Sequence, residues 1–175
     1  SITTQDVEKL TPGLWVSSLI LDASGHITHQ FCLVDDGTTT WLHTESEKTA
    51  ELLAYLEKMK FMLRVEIADR SEGYAVLRAP GAPNAIGGPF ALVTYDELDD
   101  MKSAFNQNYL QVGTWALEAE RVAAGRARIL FETDHKSIPN ELGFLNNAVH
   151  MKKGCYPGQE TVAKVFNLGK PPRRL

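Results

Sequence analysis

Apolar and polar residues alternate in short runs through the first part of the chain, and turn-forming residues separate the runs. Leu14 to Leu21 reads as a strand, Ser24-Gly25 as a turn and Ile27 to Val34 as a second strand. Asp35-Asp36-Gly37 reads as another turn and Thr38 to Leu42 as a third strand, which predicts an antiparallel meander. The period then changes. Between Glu45 and Met59 the apolar residues Ala50, Leu53, Ala54, Leu56 and Met59 recur at helical spacing, predicting a surface helix laid on the sheet with Ser46 or Thr44 as its N-cap.

Leu63 to Ala68 and Tyr74 to Ala79 have strand character, and Pro80 to Pro89 gathers glycine and proline into a loop. Phe90 to Thr94 reads as one more strand and Tyr95 to Phe105 as a short helix. Thr114 to Ala124 reads as a helix closed by Gly125 at the C′ position, and Gln159 to Leu168 as another helix. Strands and helices alternate without a regular parallel pattern, so the fold class predicted is α+β, with antiparallel sheets and packed helices. Residues 1–110 form a β-rich half and residues 111–175 a helical and loop half of one continuous unit. No internal repeat or low-complexity tract interrupts it.

Composition adds exclusions. A chain of 175 residues with 43% hydrophobic and 23% charged side chains can bury a sizeable core. A net charge of -4 supplies no basic field, so direct nucleic-acid binding is not expected. Cys32 and Cys155 are too few for a disulfide framework or a four-thiolate metal site, and His135 and His150 lack zinc-site spacing, so no metal site is expected. No apolar run reaches bilayer length and no secretory signal opens the chain; no membrane partner and a cytoplasmic location are the expectation. Both ends read as cut from a longer protein, because Lys170-Pro171-Pro172-Arg173-Arg174-Leu175 stops as a new element falls due.

The chemistry concentrates in Lys152 to Val165. Glycines and a proline around Cys155 describe a tight turn ahead of a helix, where unpaired backbone N–H groups with Lys152 and Lys153 favour a thiolate. Such a sulfur attacks electrophiles, exchanges disulfides or binds soft metals. The alternative is a small apolar filler at a turn. Cys32, within Phe31-Cys32-Leu33-Val34, reads as core. His29 shares a face with Ile27 and Phe31, where a structural role is the expectation.

Lys153-Gly154-Cys155-Tyr156-Pro157-Gly158-Gln159-Glu160 matches every fixed position of the K-G-C-Y-x-G-Q-E signature and so resembles the YgfZ-type folate-binding branch of the glycine-cleavage T-protein superfamily. Glu120 to Arg126, Ile138-Pro139-Asn140-Glu141, the tail from Val165, Thr3-Thr4-Gln5-Asp6 and the Leu19 to Leu33 hairpin extend the likeness over nearly the whole chain. The resemblance implies a T-protein-like, tetrahydrofolate-binding body that assists iron–sulfur cluster assembly or repair, with iron–sulfur client enzymes or assembly machinery as partners. It also implies an N-terminal segment and a C-terminal β-barrel that this chain lacks.

By that resemblance Cys155 is the working thiol and Lys153 its charged neighbour. Gly154 and Gly158 permit the turn, Tyr156 packs on the cleft wall, and Gln159 with Glu160 fixes the helix start through side-chain hydrogen bonds. Glu132, Asp134 or Glu141 would meet the pterin, and Arg121 the folate glutamate tail or its own helix end. Aminomethyltransferase activity is the rival reading. T-proteins carry a G-G-I-x-D-D hairpin, whereas this chain reads Gly25-His26-Ile27-Thr28-His29-Gln30 and has neither aspartate. An assembly factor is therefore favoured over an enzyme.

Overall fold

The alternating first segment folds as predicted, into an antiparallel sheet of β1 (Val16–Leu21), β2 (Ile27–Asp35) and β3 (Thr40–His43) in sequential order. The computed structural model describes residues 2–78, 90–105 and 110–175. Asp22 makes the first turn, its Oδ1 accepting the N–H groups of Ser24 and His26, while Gly25 takes a φ of +91°. Asp36 makes the second, accepting the N–H groups of Thr38 and Thr39 and, through Oδ2, the Trp41 indole.

The helix α1 (Ser46–Met59) lies on one face of this sheet, where Leu52 packs with Ile20, Phe31 and Leu33. Each such buried side chain contributes about 1.5–3 kcal/mol. Neither Ser46 nor Thr44 is the N-cap. Glu45 holds that position without a side-chain cap bond, because its carboxylate takes Nε and Nη2 of Arg128, both at 2.6 Å. Thr44 instead donates to the Gln30 carbonyl.

Leu63 to Ala68 is not a strand. Among the described residues it has no ladder partner and is largely exposed, and a strand forms only where a neighbour supplies its hydrogen bonds. The hairpin of β4 (Tyr74–Arg78) and β5 (Phe90–Thr94) makes a second, two-stranded antiparallel sheet. Ring contacts of Trp41 with Tyr74 and of Trp15 with Phe90 tie it to the first sheet. The predicted Pro80–Pro89 loop and Ala79 lie outside the described residues.

Helix α2 (Leu98–Phe105) starts later than Tyr95, because Thr94 and Glu97 bond reciprocally through side chain and backbone N–H and set the first turn beyond them. Met101 of α2 packs on Ala91 and Val93. Helix α3 (Thr114–Ala123) ends at Gly125, whose φ is +60° and whose N–H reaches the Val122 carbonyl. Helix α4 (Gln159–Leu168) ends likewise at Gly169.

The second face of the β1–β2 sheet is covered by the last third of the chain. Leu19, Leu21 and Ile27 form one cluster with Ala127, Ile129, Leu142, Phe144, Ala148, Tyr156 and Val162. Gln30 binds this layer to the sheet, accepting the Ile129 N–H and donating to the Ala127 carbonyl. The core therefore joins residues on both sides of position 110.

Candidate functional site

The turn bearing Cys155 is held from three directions. Tyr156 points inward and is buried in the central cluster. Lys153 places its ammonium 5.6 Å from the Tyr156 ring centroid and donates to the carbonyls of Thr3 and Gln5 at 2.5 and 2.7 Å. Burial lowers the Lys153 pKa from the usual lysine value, Asp6 and Glu8 opposing that change. The ammonium thus anchors the N-terminal segment to the motif.

Thr4 completes that anchor. Its buried hydroxyl lies 2.6 Å from the Ala148 carbonyl and accepts the Leu19 N–H at 2.9 Å, and its own carbonyl accepts the His150 N–H.

Gly158 supplies the third hold. It is the N-cap of α4 at φ +75°, and a Cβ there would stand 2.5 Å from Gly25 Cα, 2.6 Å from the Asp22 carbonyl oxygen and 2.8 Å from Gly25 N. Gly25 faces it from the β1–β2 turn, where a Cβ would lie 2.7 Å from Thr161 Cβ. Two backbones thus touch at two glycines, and the hairpin and the motif turn are one contact.

Between these holds Cys155 is exposed and unpaired, four positions before the first residue of α4. Gly154 behaves differently from Gly158: its φ is not in the left-handed region, and a Cβ would meet nothing within 4 Å. Gln159 and Glu160 do not fix the helix start, since no side-chain bond caps it. The left-handed Gly158 sets that start, and the exposed Glu160 carboxylate complements the positive end of the helix.

The acidic candidates form two groups. Arg121 donates to both Glu132 oxygens at 2.8 and 3.0 Å, to Glu118 and to the Arg126 carbonyl, and the two carboxylates, Glu118 foremost, raise its pKa. Arg128 links Glu118 to Glu45 in the same network. Arg121 therefore pairs with Glu118 and Glu132 and ties the segment after α3 to the helix through the Arg126 carbonyl.

Asp134 and Glu141 together grip Arg173. Its guanidinium gives Glu141 bonds of 3.1 and 3.0 Å and Asp134 bonds of 2.7 and 3.3 Å, so each carboxylate is bidentate. Glu141 has a side chain only 4% exposed and also accepts the Ile138 N–H. Arg173 holds the Asp134 carboxyl well below the usual carboxylate range, helped by the Lys136 N–H. A cavity of about 300 Å³ opens here, lined by Glu132, Asp134, Ser137, Glu141 and Arg173. Three of the four predicted folate contacts thus line one space.

His29 and Gln30, at the positions where T-proteins carry aspartate, are occupied structurally. His29 is buried against Tyr55, 3.7 Å from Glu51, and its Nε2 has no hydrogen-bond partner. Burial lowers its pKa. Cys32 is half-buried, its thiol 3.5 Å from the Ser17 hydroxyl and its pKa raised by burial. Among the described residues, no group of three or more His, Cys, Asp and Glu side chains gathers to hold a metal ion, and no helix is long and apolar enough to cross a membrane.

Sequence reasoning missed Arg173, Thr4 and the Gly25–Gly158 contact. Gly25 and Gly158 carried a signal as turn glycines, while Arg173 carried none beyond its charge. Comparison with models of known protein families gives no match, and neither does comparison with curated proteins.

Proposed function

We propose that this chain is part of a folate-binding accessory protein of T-protein-like fold that serves iron–sulfur cluster assembly or repair, with Cys155 as its working thiol. The observation that carries the reading is the exposed Cys155 sulfur on a turn fixed by Lys153, Tyr156 and Gly158, within the K-G-C-Y-x-G-Q-E signature. A sulfur meant only to fill space would be buried; this one is presented to an incoming partner. After losing its proton to solvent, the thiolate is a soft ligand for iron or an exchange partner for a client's sulfur.

The Asp134–Glu141 pair supports the folate assignment. It already binds a planar guanidinium through paired N–H bonds, and the aminopyrimidine edge of a pterin presents donors of the same kind. Asp134 and Glu141 would hold the pterin, with Glu132 at the cavity wall. When bound, a tetrahydrofolate supplies a nitrogen able to carry a one-carbon unit. Aminomethyl transfer is the weaker reading, because His29 is buried on α1 and Gln30 is engaged by the Ala127 and Ile129 backbone.

The test is complementation of cells lacking an endogenous protein of this type with the whole protein, wild type or Cys155→Ser, assayed through a four-iron cluster enzyme. Lost client activity with a folded variant supports the proposal. Undiminished activity overturns the role of the thiol.

A further inference from the structure

The segment that follows α1 exposes a run of large apolar side chains. Phe61 is 80% exposed, Met62 96%, Leu63 66% and Val65 50%. Alternation puts Leu63, Val65 and Ile67 on one side and Arg64 and Glu66 on the other, a strand pattern with no ladder partner among the described residues. Phe61 stands at φ +45°, a left-handed conformation costly for an aromatic residue, which turns the segment away from the helix as it leaves. Asp69 closes the far end by accepting the N–H and hydroxyl of Ser71.

We infer that this segment is a homodimerisation strand, pairing antiparallel with the same segment of a second copy about a two-fold axis through Val65. The sequence complements itself in that register. Val65 faces Val65 of the second copy, Leu63 faces Ile67, Met62 faces Ala68, and Arg64 faces Glu66 twice, giving two cross-strand ion pairs and a continuous apolar stripe. Lys60 would face Arg70, so like charges end the pairing beyond the stripe. A register slip of one residue breaks both ion pairs and turns the apolar set to the other side. The occupant chosen by this charge pattern is a second copy rather than an unrelated strand.

Sedimentation of the chain over a wide concentration range should show a monomer–dimer equilibrium. Arg64→Glu or Glu66→Arg alone should each weaken dimerisation roughly tenfold or more, since both ion pairs become like-charge contacts. An equimolar mixture of the two single variants should dimerise like wild type, because each then supplies what the other lacks. In a Cys155→Ser background, Val65→Cys should form a disulfide-linked dimer under mild oxidant and Met62→Cys should not. A monomer at every concentration, a dimer indifferent to Arg64→Glu, or a mixture that fails to recover would each overturn the inference.

Discussion

Replacing Gly158 by alanine tests whether the motif turn and the β1–β2 hairpin are one mechanical unit. The substitution forces a Cβ into the left-handed region at φ +75°, which costs an alanine roughly 1–2 kcal/mol. The same Cβ would lie 2.5, 2.6 and 2.8 Å from three backbone atoms of Gly25 and Asp22, none able to rotate away, and such overpacking adds about 1–3 kcal/mol. The expected loss is therefore about 2–5 kcal/mol, a large share of the roughly 5–15 kcal/mol that holds a domain folded. In a thermal melt of this size of chain it lowers Tm by roughly 5–20 °C. Gly154→Ala is the internal control. No positive φ and no neighbour within 4 Å oppose its Cβ, so its melt should stay within about 0.5 kcal/mol of wild type. Equal stability of the two variants would refute the argument, since it would mean that neither the conformation nor the close approach at Gly158 matters.

Thr4→Val removes a buried hydroxyl and leaves the Leu19 N–H and Ala148 carbonyl to find other partners, costing about 1–3 kcal/mol in urea unfolding, whereas Thr4→Ser should retain most of the stability. Lys153→Met loses two charged hydrogen bonds to Thr3 and Gln5 and should destabilise by roughly 1.5–3 kcal/mol; an unchanged midpoint would show that the anchor does not hold. His43 is half-buried with its ring against Trp15 and Phe90, and loss of hydration there pushes its pKa down to about 4. Because the folded value lies below the unfolded one of about 6.5, stability should fall as pH drops between these values, by up to about 3 kcal/mol, and His43→Phe should flatten that slope. For the folate reading, calorimetric titration should show Glu141→Gln weakening tetrahydrofolate binding and Arg173→Ala strengthening it, since the guanidinium occupies the same carboxylates; affinity unmoved in both variants would place the pterin elsewhere.

What the sequence made legible was local. Strand alternation and turn aspartates positioned β1, β2 and β3 because the Asp22 and Asp36 turns close on residues within a few positions. Helical period bounded α1 and α4, and Gly125 closed α3, for the same reason. Long-range partners decided the rest. Leu63 to Ala68 has strand character, yet no other described segment completes its ladder. Glu45 became the N-cap position of α1 because Arg128, far along the chain, holds its carboxylate. Asp134 and Glu141 were visible as acids, while the guanidinium that joins them comes from Arg173, which no spacing rule connects to either. Cys155 was legible through its motif, and its exposure emerges only once Tyr156 is seen turning inward beside it.

The bonds from Lys153 to Thr3 and Gln5, with those from Thr4 to Leu19 and Ala148, also set an order of events during synthesis. The β1–β2 hairpin leaves the ribosome early and can pair at once, yet the layer that covers its second face emerges only with residues 127–162. Until then Leu19, Leu21 and Ile27 wait uncovered, and loop closure over almost the whole chain precedes any organised turn around Cys155. A nascent chain interrupted before that layer would expose sticky sheet surface without a positioned thiol, so chaperone dependence should end at the step where thiol competence begins.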